Sequence, residues 1–576
     1  MGRRDLLFAV VCIAGVLALV ARIAPETKAR STSQPASATT REAADPPTER
    51  LNPGEAAVVA AVDQRFRQAW EQESLVGAPR ADDLAIARRL SLALRGTIPS
   101  LAEVRALESA PTAQRLNWWR DQLLAQRRTA DYLAERLARP LIGVEDGPFL
   151  IFRRRRFVTW LADALAENRP SDAIVRDLIA SSGLWTDEPA TNFLTAAWLV
   201  DERHFDTNRL ASRVSRAFLG TRIDCAECHD HPFDRWKQSD FQGLAAFFAQ
   251  TRQGATGIYD VDAKGKRRTG PGKGASPAAN AGAQGVEPRV PFAGELLPKQ
   301  GAPRARLAAW VTDPRNRPLA RVTVNRLWGI VFGRALVEPI DSIPLDVAED
   351  VSAPLDRAVL ELLAADFAEQ GFNIRRTLRL LTSLEVFRVD SREPAREQRT
   401  ESAEEPSEVA SVAAIASPSW SVFPLTRLRP EQLAYSIAQA SSLESIDPES
   451  SPLMAFIRAV GRAEFVKRFG DAGEAELTPA VGTIPQHLLL LNGKAVREAV
   501  KGVNPINASW RVAALAPDDS HAVEAAYLAV LTRRPTSDEQ RHFVARLSGN
   551  HGDKRHQVLE DLFWSLINST EFAWNH

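Results

Sequence analysis

Methionine and cysteine are nearly absent, at two and three of 576 residues. Three cysteines exclude a disulfide-dense scaffold and leave no second pair to complete a four-cysteine zinc site. One methionine beyond the first residue leaves Met454 as the single thioether the chain can offer a metal. Neither sign of charge prevails, since 72 basic and 72 acidic side chains cancel. A neutral chain gives no electrostatic reason to bind nucleic acid, which is captured by basic surface. The run Arg153 to Arg156 reads as a solvated helix face. There is no G-x-S-x-G, no H-E-x-x-H and no calcium-loop spacing of acids. The stretch Gly270 to Ser276 lacks the spacing of a phosphate loop, and no strand precedes it.

What is present is a chain too long for one core of ordinary size, with 45% hydrophobic and 25% charged residues, as in soluble globular proteins. Residues 1–24 read as a signal peptide or an uncleaved membrane anchor. Arg3 and Arg4 precede an apolar run from Leu6 to Ala21, closed by Arg22. Cys12 lies inside that run without lipobox-like flanks. Residues 25–54, rich in Pro, Ser, Thr and Ala, read as a disordered linker. The expected organisation continues with a helical domain at 55–251, a flexible linker at 252–291, a helical region at 292–389, a low-complexity insertion at 390–418, and a last helical region at 419–576. The fold class is mainly α: two helical regions joined by flexible tracts after the N-terminal segment.

Helical periodicity runs through 55–251. Asp82 to Leu94 places Ile86, Ala87, Leu90 and Leu94 on one face and stops at Gly96. Ser100 with Glu103 is a capping box for the next helix. Further helices are expected near 112–124, 129–138, 157–167 and 172–181, and one near 208–219 is ended by Gly220. The turn from Leu90 to Glu103 has a weak echo from Tyr527 to Glu539: helix, Pro-containing turn, capped helix.

The residues that carry chemistry are Cys225-Ala226-Glu227-Cys228-His229. Two thiols at C-x-x-C spacing reach one porphyrin edge, and the adjacent imidazole falls on the iron; this is the attachment pattern of haem c. The same residues also admit a Cys225–Cys228 disulfide, metal binding with His229 or His231, or a chance match. In the haem reading Cys225, Cys228 and His229 bind the cofactor, with His229 the proximal iron ligand. His204 and Met454 are candidates for the far side, and His487, His521 and His542 qualify by type alone. His231, Asp234 and Trp236 are expected to orient their neighbours from just outside the cofactor. Leu210, Val214, Phe218, Phe233, Trp236, Phe247 and Phe248 are expected to wall an apolar pocket, with Arg222 and Arg235 facing the propionates.

Those residues also carry a family resemblance. The stretch Cys225 to Trp236 (CAECHDHPFDRW) followed by Asp240 to Phe248 resembles the core of the planctomycete cytochrome-like PSCyt proteins. Arg89 to Pro99 and Asn208 to Gly220 are similar to flanking segments of that domain. In the second half, Arg306 to Trp310, Ala320 to Trp328, Phe332 to Pro339, Pro485 to Asn492 and Asn568 to Phe572 resemble the companion PSD domain. Asp341-Ser342-Ile343 departs from the family pattern, which carries a second acid and an aromatic there. The resemblance implies an exported, mainly helical, two-part protein, and assigns the PSD half no activity. In that half, Asn325, Arg326 and Trp328 sit in an apolar helix, as a buried polar anchor or a substrate-binding edge.

The resulting expectation is an extracytoplasmic, membrane-tethered protein with one haem c, in electron transfer or haem redox chemistry with a redox partner protein. The alternative is a haem-free scaffold with a Cys225–Cys228 disulfide.

Overall fold

Asn52 caps the first described helix. Its side chain accepts from the Glu55 N–H at 2.8 Å while Glu55 reaches back to the Asn52 N–H at 3.0 Å, a capping box that starts α1 (Pro53–Gln72). In this computed structural model the described residues are 51–144, 152, 154–261, 285–345, 354–392, 419–446, 465–466, 468–469, 483–501, 505 and 507–576. The N-terminal signal or anchor with Cys12, nearly all of the linker at 25–54, most of the insertion at 390–418, and Met454 lie outside them. No described helix is long and apolar enough to cross a membrane.

The first half adds α2 (Asp83–Arg95), α3 (Leu101–Ser109), α4 (Arg115–Ala125), α5 (Arg127–Ile142), α6 (Arg154–Ala166) and α7 (Ser171–Ala180). A short ribbon of β1 (Trp198–Leu199) and β2 (His204–Phe205) leads into α8 (Thr207–Val214), and α9 (Gln238–Ala245) follows the cysteine motif. After the hairpin β3 (Thr251–Gly254) and β4 (Gly257–Asp260) come α10 (Pro303–Val311), α11 (Pro318–Phe332), α12 (Leu355–Glu369) and α13 (Ile374–Leu381). The last part comprises β5 (Thr426–Arg427), α14 (Pro430–Ala440), α15 (Ile484–Asn492), α16 (Lys494–Val500), α17 (Ala508–Leu515), α18 (Asp519–Leu531), α19 (Ser537–Leu547), α20 (Asp553–Ile567) and β6 (Trp574–Asn575), which pairs with β5. The expected mainly α architecture is what forms; the described strands are three two-stranded ribbons.

Packing does not follow the two helical regions read from the sequence. One hydrophobic core runs from Val62 to Phe423, takes in Leu528, and joins both of them. A second gathers residues 428–572 and takes Leu92 and Ile98 from the first half. Helix α2 lies between the two cores. The sequence marks one apolar face on it, but eleven of its thirteen residues are buried, Arg88, Arg89 and Arg95 among them. The face opposite Ile86 and Leu90 is covered by the C-terminal region, and its arginines are satisfied chiefly by main-chain oxygens and one carboxylate.

The internal echo is a packed pair. In α2–α3, Arg95 holds the capping-box residue Glu103 with two bonds of 2.5 Å. In α18–α19, Arg533 holds the corresponding Glu539 at 2.8 and 2.9 Å. The hairpins meet through Arg534–Glu108 at 2.6 Å and Arg105–Glu524 at 3.3 Å. Burial would raise Glu103, but the Arg95 guanidinium outweighs it and holds the carboxyl at about 2. Glu539, bonded to Arg533, is likewise held at about 2.

The tract from 252 is not flexible linker at its start. Residues 251–260 form the β3–β4 hairpin because Gly257, at φ +90°, turns tightly against the Gly183 carbonyl, and Ile258 is buried. The Gly183 N–H donates to Ile258 at 2.8 Å, and Ile258 returns a bond at 2.9 Å.

Asp63 on α1 accepts from the Glu385 N–H at 2.9 Å. Burial, with the nearby Glu385 charge, raises its carboxyl to about 6 from an unfolded value of 3.8. A carboxyl whose folded pKa is raised contributes fully below pH 3.8 and loses that contribution as pH rises through 6. Asp63→Asn keeps an acceptor for Glu385. The expected result is a gain of roughly 1–3 kcal/mol in urea unfolding at pH 8 and almost none at pH 4. An equal gain at both pH values contradicts this reading. Glu103 and Glu539 act in the opposite direction, with stability lost as pH falls from 4.5 toward 2.

Candidate functional site

The cysteine motif begins where α8 ends. Ser215–Leu219 widens into a π-helical turn, and Gly220 closes it at φ +61°. A Cβ at Gly220 would stand 3.1 Å from Val322 and 3.3 Å from Ile343, so the turn sits directly on α11 and its following loop. The chain then drops Ile223 and Ala226 into the core, at 1% and 0% exposure. Between and beyond these plugs, Asp224–Glu227 forms a 3₁₀ turn that presents Cys225, Cys228 and His229 at the surface.

Four side chains hold the turn. Asn208, in the first turn of α8, donates to Glu227 at 2.9 Å. Gln238, at the start of α9, donates to the carbonyls of Cys228 at 2.9 Å and Glu227 at 3.3 Å. The Gln238 N–H donates to Asp230 at 2.9 Å. Arg216 pairs with Asp224 at 2.5 Å. The thiols are thus exposed on a braced turn.

Both thiols are free, so the disulfide of the alternative reading is not formed. No group of three or more metal-ligating side chains occurs among the described residues, which leaves the cysteines without a zinc set. His229 Nδ1 lies 2.8 Å from the Asp230 carbonyl. A carbonyl only accepts, so Nδ1 carries a proton, and in the neutral ring Nε2 is the nitrogen whose lone pair faces a metal.

His231 and Asp234 spend their acceptors inside the next turn. His231 Nδ1 accepts from the Phe233 N–H at 3.2 Å, and Asp234 accepts from the Arg235 N–H at 2.7 Å. The His231 N–H donates to the Trp236 carbonyl at 2.8 Å, which lifts Phe233 to 95% exposure. Trp236 is buried, with Arg235 5.0 Å over its ring, and its Nε1–H has no acceptor.

The expected apolar pocket is not built. Leu210, Val214, Phe218, Trp236, Phe247 and Phe248 are packed in the main core, and of that set Phe233 alone is exposed. Arg222 faces Asp341 at 2.6 Å, which holds its guanidinium pKa above the ordinary value. His204 spends both nitrogens: Nε2 lies 2.7 Å from Glu202, and Nδ1 lies 3.2 Å from the Phe205 carbonyl. His487 and His521 are exposed, and His521 pairs with Asp518. His542 packs edge-on against Phe543 on α19.

What sequence reasoning missed is the part played by the second half. Arg326 donates to the carbonyls of Ala217 and Arg216, closing the π turn. The Ile343 N–H donates to the Gly220 carbonyl at 2.7 Å. Asp341, Arg326 and Ile343 therefore fix the segment that launches the motif. The signal was the unusual triplet Asp341-Ser342-Ile343, but nothing local connects it to residue 222. Asp341→Asn is expected to raise amide exchange at residues 220–224 several-fold while costing no more than about 1 kcal/mol of global stability, because Arg222 is half exposed. Unchanged exchange there would remove the clamp from this account.

Fold and site together define a mainly helical protein with a braced surface C-x-x-C-H turn built jointly by both halves. Residues 61–253 match the family model of PSCyt2, a protein of unknown function (DUF1549), and residues 303–547 match that of PSD1, a protein of unknown function (DUF1553). The chain carries this planctomycete-type PSCyt2–PSD1 pair. No curated protein and no solved structure matches it.

Proposed function

We propose that the chain is an extracytoplasmic protein with one covalently attached haem, serving electron transfer to a redox partner or haem redox chemistry. The observation that carries this reading is the donor set: two free, exposed thiols on a fixed turn beside an imidazole whose Nε2 is unspent. A haem attached there supplies one-electron chemistry at the iron. The chain's own contributions are the two sulfurs and Nε2 of His229. His231 and Asp234 hold the adjoining turn in shape. The far-side ligand is sought in His204, which must first leave Glu202, and in Met454. Residues 1–24 tether or export the protein.

A haem-free scaffold is the second reading. It is favoured by the packing of the expected pocket residues into the core. Export of the full chain together with c-type maturation machinery separates the two. A sharp α-band on reduction, with a mass increase of one haem that survives denaturation, is the expected result. Colourless protein of unmodified mass ends the haem reading.

A further inference from the structure

Away from the cysteine turn, a cavity of about 510 Å³ opens between α2, the α18–α19 turn, the segment after Val389 and the C-terminal residues. A second, of about 380 Å³, shares Arg392, Arg533, Arg534, Glu571 and His576 with it. Five arginines line the larger cavity against three carboxylates. Each of the three carboxylates already has a hydrogen-bond partner. Glu571 accepts from Arg533 at 2.6 and 2.8 Å, Asp82 caps α2 through the Leu84 N–H at 2.8 Å, and Asp390 accepts from the Arg392 N–H at 3.0 Å. Arg534 is paired with Glu108.

Arg88 and Arg89 donate to no side-chain carboxylate, although the charges of Glu571 and Asp390 lie near them. Arg88 is 1% exposed, donates only to the carbonyls of Val530 at 3.3 Å and Phe572 at 3.1 Å, and has no partner for Nε. Arg89, equally buried, donates to main-chain oxygens of His576, Phe387 and Val389 and to Ser391. Burial lowers the two guanidiniums to about 10 and about 9, so both stay charged at neutral pH. His576 is driven down to about 4 by burial and by the Arg88 charge. Buried charge is normally paired. Arg392 is exposed at the rim. Leu84, Leu425 and Leu531 supply apolar wall.

We infer that this cavity binds a small organic oxyanion, a carboxylate or phosphate on an apolar body, with the anionic end toward Arg88, Arg89 and Arg392 and the body against the leucines. The volume suits a small ligand, and apolar walls with a few convergent polar groups are the usual composition of such sites. Arginine forks match both oxyanions. The site is independent of the haem reading, and its test requires no haem.

The experiment is calorimetric titration of the full chain with benzoate, phenyl phosphate and inorganic phosphate at low ionic strength. Saturable binding of benzoate or phenyl phosphate, about tenfold or more tighter than inorganic phosphate, is expected. The tighter of the two identifies the anion. Arg392→Gln, at an exposed position, is expected to weaken it about fivefold or more, and Arg88→Met, which removes a buried charge, to abolish it. Absence of saturable binding overturns the inference. So do affinities unchanged in Arg392→Gln, and inorganic phosphate binding as tightly as the aromatic anions.

Discussion

Asn325→Leu is expected to cost about 3–5 kcal/mol and to loosen the loop that follows α11. The side chain is fully buried in the middle of that helix. It donates to the Val337 carbonyl at 2.8 Å and accepts from the N–H groups of Leu336 and Val337, both at 3.0 Å. One amide therefore satisfies three main-chain groups of a buried loop. Leucine matches its size and leaves all three unpaired, each at a cost of about 1–3 kcal/mol less whatever relaxation recovers. The neighbouring Arg326 is the residue that closes the π turn. Motion of α11 should therefore reach Gly220 and the cysteine motif. Urea unfolding gives the stability and amide exchange at 215–229 gives the coupling. A midpoint shift equivalent to less than about 1 kcal/mol would mean the loop finds other partners.

This result also bears on which half of the molecule makes the site. The family models stop at 253 and resume at 303, yet α11 packs within the same core as α8 and α9. The PSCyt2 half supplies the thiols and the imidazole. The PSD1 half supplies Arg326, Asp341 and Ile343, the contacts that fix where those groups stand. The segment that launches the turn, residues 216–222, is therefore expected to lose these contacts in a fragment cut between the two models.

Local signals were legible in the sequence because they act within a few residues. The Ser100–Glu103 box, the Gly96 and Gly220 stops, and the echo at Tyr527–Glu539 all appear where the pattern placed them. For Asn325, Arg326 and Trp328 the sequence left a buried anchor and a substrate-binding edge open, and all three are buried. Burial of the second face of α2 was hidden because its cover lies more than 400 residues away, at Val530 and Phe572. Arginine reads as surface, and only the tertiary fold supplies the carbonyls that bury it. The β3–β4 hairpin was hidden by a glycine- and lysine-rich neighbourhood, although Gly257 between Gln253 and Ile258 was its turn signal. The pocket failed for a related reason. Aromatic residues near a motif in sequence are more often core than cavity, and Phe218, Phe247 and Phe248 are core.

The cysteines invite the opposite experiment, one in which function is lost and the fold is kept. Cys225→Ala/Cys228→Ala should abolish covalent haem, with no mass increment and no α-band after denaturation. The same variant should unfold within about 0.5 kcal/mol of the parent, because both side chains are exposed and neither is bonded to the other. Each single variant keeps one thiol and should carry haem at much lower yield. His229→Ala keeps both thiols and the turn, whose bracing comes from Asn208, Gln238 and Arg216. It should accept covalent haem but give an altered spectrum, because the ligand at Nε2 is gone. A structural role for the cysteines predicts the reverse pattern, with stability falling and the spectrum of residual haem unchanged. Parent-like haem content in the double alanine variant would show that the two sulfurs are not the point of attachment, and would leave the braced turn as a surface for another protein.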